Sequence, residues 1–130
     1  MRQKLAPGEK PLFWIGSSKR DLLAMPDSVV RQMGAALSVA QYGGKHPDAK
    51  PWKGVGPGVF EVVSDFKTDT FRAGYVVRFE QAIYVLHCFQ KKSPSGMRTA
   101  KTDVEMIERR LKAAQADYEV RYGQASQKRQ

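Results

Sequence analysis

His87 stands inside an otherwise apolar run, residues 84–89, and the chain leaves that run through Lys91 and Lys92 before a Ser-Pro-Ser-Gly break. Histidine exchanges protons near neutrality, and paired cations attract phosphate. Upstream, Glu61 and Arg72 each interrupt a further apolar run. Cleaving a phosphodiester by internal attack needs three things: a proton acceptor, cations around the pentavalent phosphate, and a donor for the leaving oxygen. Glu61 or His87 suits the acceptor. Arg72 and Lys91 suit the phosphate, with arginine able to grip it through two parallel N–H groups, and Lys92 suits the neighbouring backbone. His87 serves equally well as the acid, so the sequence leaves the direction open. The plainer alternatives are a satisfied core histidine, a solvated strand end and an ordinary Glu61–Arg72 cross-strand ion pair.

Other chemistry has less to stand on. His46 and His87 are the two histidines, and with the scattered carboxylates they show no metal-ligand spacing, so neither a metal nor a cofactor is expected. Ser93 and Ser95 have no triad context and read as loop residues. The single cysteine, Cys88, excludes an internal disulfide framework and a cysteine-cluster zinc site. It reads as a small buried side chain.

The elements that must position these groups follow from periodicity and punctuation. Residues 12–15 make a short apolar strand after a loose start, and residues 19–24 a short helix ended before Pro26. Val29, Val30, Met33, Leu37 and Ala40 recur at helical spacing until Gly43-Gly44 stops them, which gives an N-terminal helical hairpin. Residues 45–58 read as a long basic loop in which Trp52 either stacks on a nucleic acid or, the better expectation, plugs the core beside the sheet. Three strand-like runs follow, 59–64, 70–79 and 82–90, with short connections that suit an antiparallel meander. Thr102 and Glu105 form a capping-box pattern ahead of an apolar stripe, Val104, Ile107, Leu111, Ala114 and Tyr118. Arg109, Arg110 and Lys112 read as the solvated face of that helix. The expectation is a single α+β domain at 12–122 with a mainly antiparallel sheet, an N-terminal helical hairpin and a C-terminal helix. A flexible N-terminus at 1–11 and a disordered tail at 123–130 flank it.

Composition supports one domain and a polyanionic partner. The chain has 130 residues, 42% of them hydrophobic, enough for one compact core. Its formal charge of +9 and isoelectric point near 9.9 favour nucleic acid, an acidic protein or an anionic surface. No apolar run approaches the roughly 20 residues of a membrane span, and no signal-peptide core follows the basic start, so a soluble cytoplasmic protein is expected.

Register sharpens the site. If Asp65 opposes Thr70 and Phe79 opposes Ala82, then Gly74 faces both Glu61 and His87, and Arg72 faces Val63 and Phe89. Glu61, Arg72, His87 and Lys91 then share one polar face, with a small depression at Gly74. Phe60, Val62, Phe71, Ala73, Tyr75, Val77, Phe79, Tyr84, Leu86 and Cys88 form the other, the core. A one-residue slip would send His87 inside.

The path "KPWKGVGPGVFEVVSDF", then "DTFRAGYVVRF", then "AIYVLHCFQKKSPSG", followed by a capped helix, resembles the HigB-like, phage-related branch of the RelE/ParE toxin superfamily. The resemblance covers roughly residues 12–118. Its most specific piece is Leu86-His87 with Phe89 and Lys91-Lys92, supported by Phe60-Glu61 and Phe71-Arg72. It implies a RelE-like fold and a toxin of a type II toxin–antitoxin pair, a metal-independent mRNA endoribonuclease acting on the translating ribosome. It implies as partners mRNA, the ribosome and a small antitoxin, often a helix-turn-helix protein. Glu61, Arg72, His87 and Lys91 would be catalytic, with Lys53, Lys92 and Arg98 on the RNA. ParE-like relatives of the same fold poison DNA gyrase instead, and a degenerate relative would bind nucleic acid or antitoxin without catalysis. The chain departs from the pattern at Val63, where many relatives are basic, and at Gly74, where a larger side chain is commoner.

Overall fold

The computed structural model describes residues 4–91 and 100–128, with side chains through 123. Its elements run β1 (Leu12–Trp14), α1 (Ser18–Leu23), α2 (Asp27–Gln41), β2 (Ala49–Pro51), β3 (Val59–Phe66), β4 (Asp69–Val76), β5 (Ile83–Lys91) and α3 (Lys101–Lys128). Five strands form one mixed sheet in the order β1-β5-β4-β3-β2. β1 pairs with β5 in parallel, and the other neighbours are antiparallel. This is a single α+β domain whose fold fits the RelE-like pattern. No helix among the described residues is long and apolar enough to cross a membrane.

The meander forms because β-branched and aromatic residues alternate along β3 and β4, and a two-residue connection, Lys67-Thr68, closes them with Phe66 opposite Asp69. Lys67 takes φ 56°, a left-handed conformation uncommon for a residue with a Cβ. The expected register holds from Asp65–Thr70 to Glu61–Gly74, and again from Thr70–Lys91 to Gly74–His87. It then slips. Tyr75 pairs with Val85 and Val76 with Tyr84, leaving Leu86 without a partner on β4, as a β-bulge does.

That bulge redistributes the core. Val62, Phe71, Ala73, Tyr75, Val85 and Cys88 pack on one side with Val29, Met33, Leu37 and Ala40 of α2. Phe79, Tyr84 and Leu86, expected in that same layer, instead join Val59, Val76 and Phe89 against Ile107, Leu111 and Ala114 of α3. The core therefore occupies both faces of the sheet, and Glu61, His87 and Lys91 are themselves buried. The extra residue in β5 is the physical reason for the divided core, because one inserted residue inverts the faces of all that precede it.

The helices differ in detail from the sequence reading. α1 has six residues and lies on β5, while α2 lies on β3. In α3 the Ala100 carbonyl accepts from the N–H groups of Asp103 and Val104, which puts Thr102 inside the first turn. The Thr102–Glu105 capping box therefore does not start the helix. α3 continues to Lys128, beyond Tyr122, where the apolar stripe stops. β2 runs through what the sequence presented as loop. Three residues are too few for a pattern to register, and Pro51 sits on an edge strand where no donor is missed.

Candidate functional site

Glu61 on β3, Arg72 on β4, and His87 and Lys91 on β5 share one face of the sheet. Glu61, Gly74 and His87 are directly cross-strand, and Lys50 of β2 extends that row beside Glu61. Arg72 Nη1 lies 3.6 Å from Glu61 Oε1, an ion pair too long for a hydrogen bond. Glu61, His87 and Lys91 are all at least nine-tenths buried. Burial first, and then the positive fields of Arg72 and Lys50, hold the Lys91 ammonium below the usual lysine pKa, with Glu61 opposing. Clustered cations of this kind are poised to recover stabilisation from an incoming anion.

An aromatic stack forms the floor. Phe89 stacks on His87 with ring centroids 4.5 Å apart and on Trp52 at 6.2 Å, and the Arg72 guanidinium lies 5.6 Å over the Trp52 ring. The expected hollow at Gly74 is filled. A Cβ built on Gly74 would lie 3.0 Å from Trp52 Cζ3, so the absent side chain is what admits the indole. This accounts for the small residue at a position where a larger one was expected, and Trp52 takes the core-plugging role of its two alternatives.

His87 is held from α3. Its Nε2 lies 2.8 Å from Asp103 Oδ1, while Nδ1 is buried without a hydrogen-bond partner among the described residues. An ionised carboxylate only accepts, so Nε2 carries the proton and Nδ1 the lone pair in the neutral ring. Asp103 also sits in the first turn of α3, where the helix dipole favours a negative charge. The Leu86 carbonyl, freed from the ladder, accepts from Arg110 Nη1 at 3.0 Å, and Arg110 Nη2 donates to Ser17 Oγ. Arg110 is thus a clamp between α3, the bulge and the turn before α1, not part of the solvated face expected for it. Arg109 and Lys112 are exposed.

Lys53 is exposed on the segment after Trp52, and no hydrogen bond or ion pair links it to the cluster among the described residues. Lys92 and Arg98 lie outside the described residues. The sequence reading missed Lys50, which needed β2 to be seen, and Asp103, whose partner is 16 residues away with no local pattern to connect them. Among the described residues no three histidine, cysteine, aspartate or glutamate side chains are grouped to share a metal ion.

Residues 20–112, well over half of the chain, match the family described as "Phage derived protein Gp49-like (DUF891)". The chain belongs to the Gp49-like family. That family lies within the RelE/ParE-like toxin superfamily and is associated with the toxins of toxin–antitoxin systems. No curated protein matches the chain. Within a Gp49-like protein, the cationic face shared by β3, β4 and β5 is the arrangement that needs a chemical explanation.

Proposed function

We propose that this Gp49-like protein is a HigB-like toxin, a metal-independent endoribonuclease that cleaves mRNA on the translating ribosome in the cytoplasm. Its toxin domain spans residues 12–122, and a small antitoxin of helix-turn-helix type restrains it. The observation that carries the reading is the convergence of Glu61, Arg72, His87 and Lys91 on one sheet face. The hydrogen bonding supports a direction that the sequence leaves open. Asp103 holds the Nε2 proton, so His87 offers its Nδ1 lone pair as the acceptor of the 2′-hydroxyl proton, and the ring so protonated can return that proton to the 5′-oxygen, while Glu61 pairs with Arg72 across the face. Arg72 and Lys91 neutralise the phosphate, with Lys50, Lys53, Lys92 and Arg98 along the backbone.

The burial of Glu61, His87 and Lys91 favours a second reading, a relative that binds nucleic acid or antitoxin without cleaving. A gyrase poison of the ParE kind is the third. Expression alone and with the neighbouring small reading frame separates them. The endoribonuclease reading expects growth arrest with fragmented mRNA and intact DNA, relieved by a co-purifying partner. DNA damage with intact mRNA supports the gyrase reading, and harmless expression with no partner removes the toxin assignment.

A further inference from the structure

On the opposite face of the sheet from the cationic patch, a cavity of about 230 Å³ opens between the C-terminal end of α2 and the strands. Its base is apolar, built from Ala40, Phe60, Val77 and Ile83, and its rim carries Lys10 and Lys45. Both lysines stand on fixed backbone. Lys10 exchanges two hydrogen bonds with Gln41 at the end of α2, and Lys45 follows Gly43-Gly44, whose N–H groups bond back to Ala40 and Val39. The nearest acid in sequence, Glu9, is engaged by the Ala6 N–H. Tyr75 also lines the cavity. It is 2% exposed, and its hydroxyl has no hydrogen-bond partner among the described residues. Burial raises its pKa to about 12.

An apolar hollow lined by a tyrosine, with two cations at its mouth, is complementary to one kind of guest. The hydrophobic wall buries a compact apolar body, and the two rim lysines favour a negative charge at the mouth. The size excludes much else, since pockets for drug-sized ligands and cofactors run from about 300 Å³ upward. We infer that this cavity binds a carboxylate carried on a compact apolar body, either the free C-terminal residue of a peptide or a small organic acid. The site is independent of the cleavage chemistry and stands whether or not the protein cuts RNA.

The test uses the full-length, isotope-labelled protein and amide and side-chain NMR shifts. N-acetylphenylalanine and N-acetylleucine are titrated beside N-acetylphenylalaninamide, and in a second arm a tetrapeptide ending in leucine is titrated with a free and with an amidated C-terminus. The inference expects saturable shifts at Lys10, Gly43, Gly44, Lys45 and Tyr75 for the carboxylates. Amidation, or the exposed-side double change Lys10→Gln with Lys45→Gln, should weaken binding by about tenfold or more, as loss of a charge-assisted contact does. Tyr75→Phe should weaken it by less without altering the melting profile. Tighter binding of the peptide than of the acetylated amino acids identifies a peptide terminus as the source, and the reverse a small acid. Equal binding of acid and amide, shifts confined to other surfaces, or no binding by any carboxylate overturns the inference.

Discussion

At the residue scale, Gly74 and Trp52 show how one missing side chain shapes the site. The indole lies where a Cβ would crowd it, stacks on Phe89 and carries Arg72 over its ring. Gly74→Val should therefore expel Trp52 and destabilise the fold by about 1–3 kcal/mol, the usual cost of overpacking, seen as a lower melting temperature with red-shifted tryptophan emission. An unchanged melt would mean that the indole is not packed there. The shared face of Glu61, Arg72, His87 and Lys91 was legible in the sequence, because alternation sorts the faces of polar residues in apolar strands. Asp103 was not legible. Its role depends on the angle at which α3 meets β5, and nothing local to residue 103 encodes that.

At the element scale, two of the contacts that fix α3 to the sheet can be tested. Near its start, Arg110 satisfies the Leu86 carbonyl at the bulge. Arg110→Met keeps the stem but leaves that buried acceptor unpaired, which should cost about 1–3 kcal/mol in urea unfolding, whereas Arg109→Met on the exposed face should cost almost nothing. Further along, Asp117 accepts from the Tyr84 hydroxyl at 2.5 Å and from Arg121 Nε at 2.6 Å. Burial opposes its ionisation, but the two hydrogen bonds prevail and hold its pKa below the usual carboxylate value. The stability from this pair is therefore present above the unfolded carboxylate pKa of about 4 and is lost as pH falls through the lower folded value. Asp117→Asn should reduce stability at neutral pH and flatten this acid limb of a stability-against-pH curve. An acid limb identical to that of the native chain would contradict the assignment. The bulge explains why the elements were easier to read than their facing. Strand runs announce themselves by composition, but one extra residue at Leu86 leaves no mark in the alternation of an all-apolar stretch, so Tyr84 and Leu86 were placed in the wrong layer.

For the whole molecule, a charge of +9 sits on a single domain that has a cationic cluster on one face of the sheet and a cavity on the other. The fold class was legible because the order of runs permits few α+β arrangements. The mixed sheet was not fully so, since β2 and the parallel β1–β5 pairing rest on three-residue strands. The central claim is that the polar face cleaves RNA by internal attack, and the chemistry of the new ends tests it most directly. Attack by the 2′-hydroxyl breaks the bond to the 5′-oxygen, so one fragment ends in a 2′,3′-cyclic phosphate and the other begins with a 5′-hydroxyl. In a reconstituted translation reaction, the native protein should produce such ends. Well-folded Arg72→Ala, His87→Ala and Lys91→Ala variants should each lower the rate by about a hundredfold or more. Fragments beginning with a 5′-phosphate, or undiminished cleavage by all three folded variants, would contradict it.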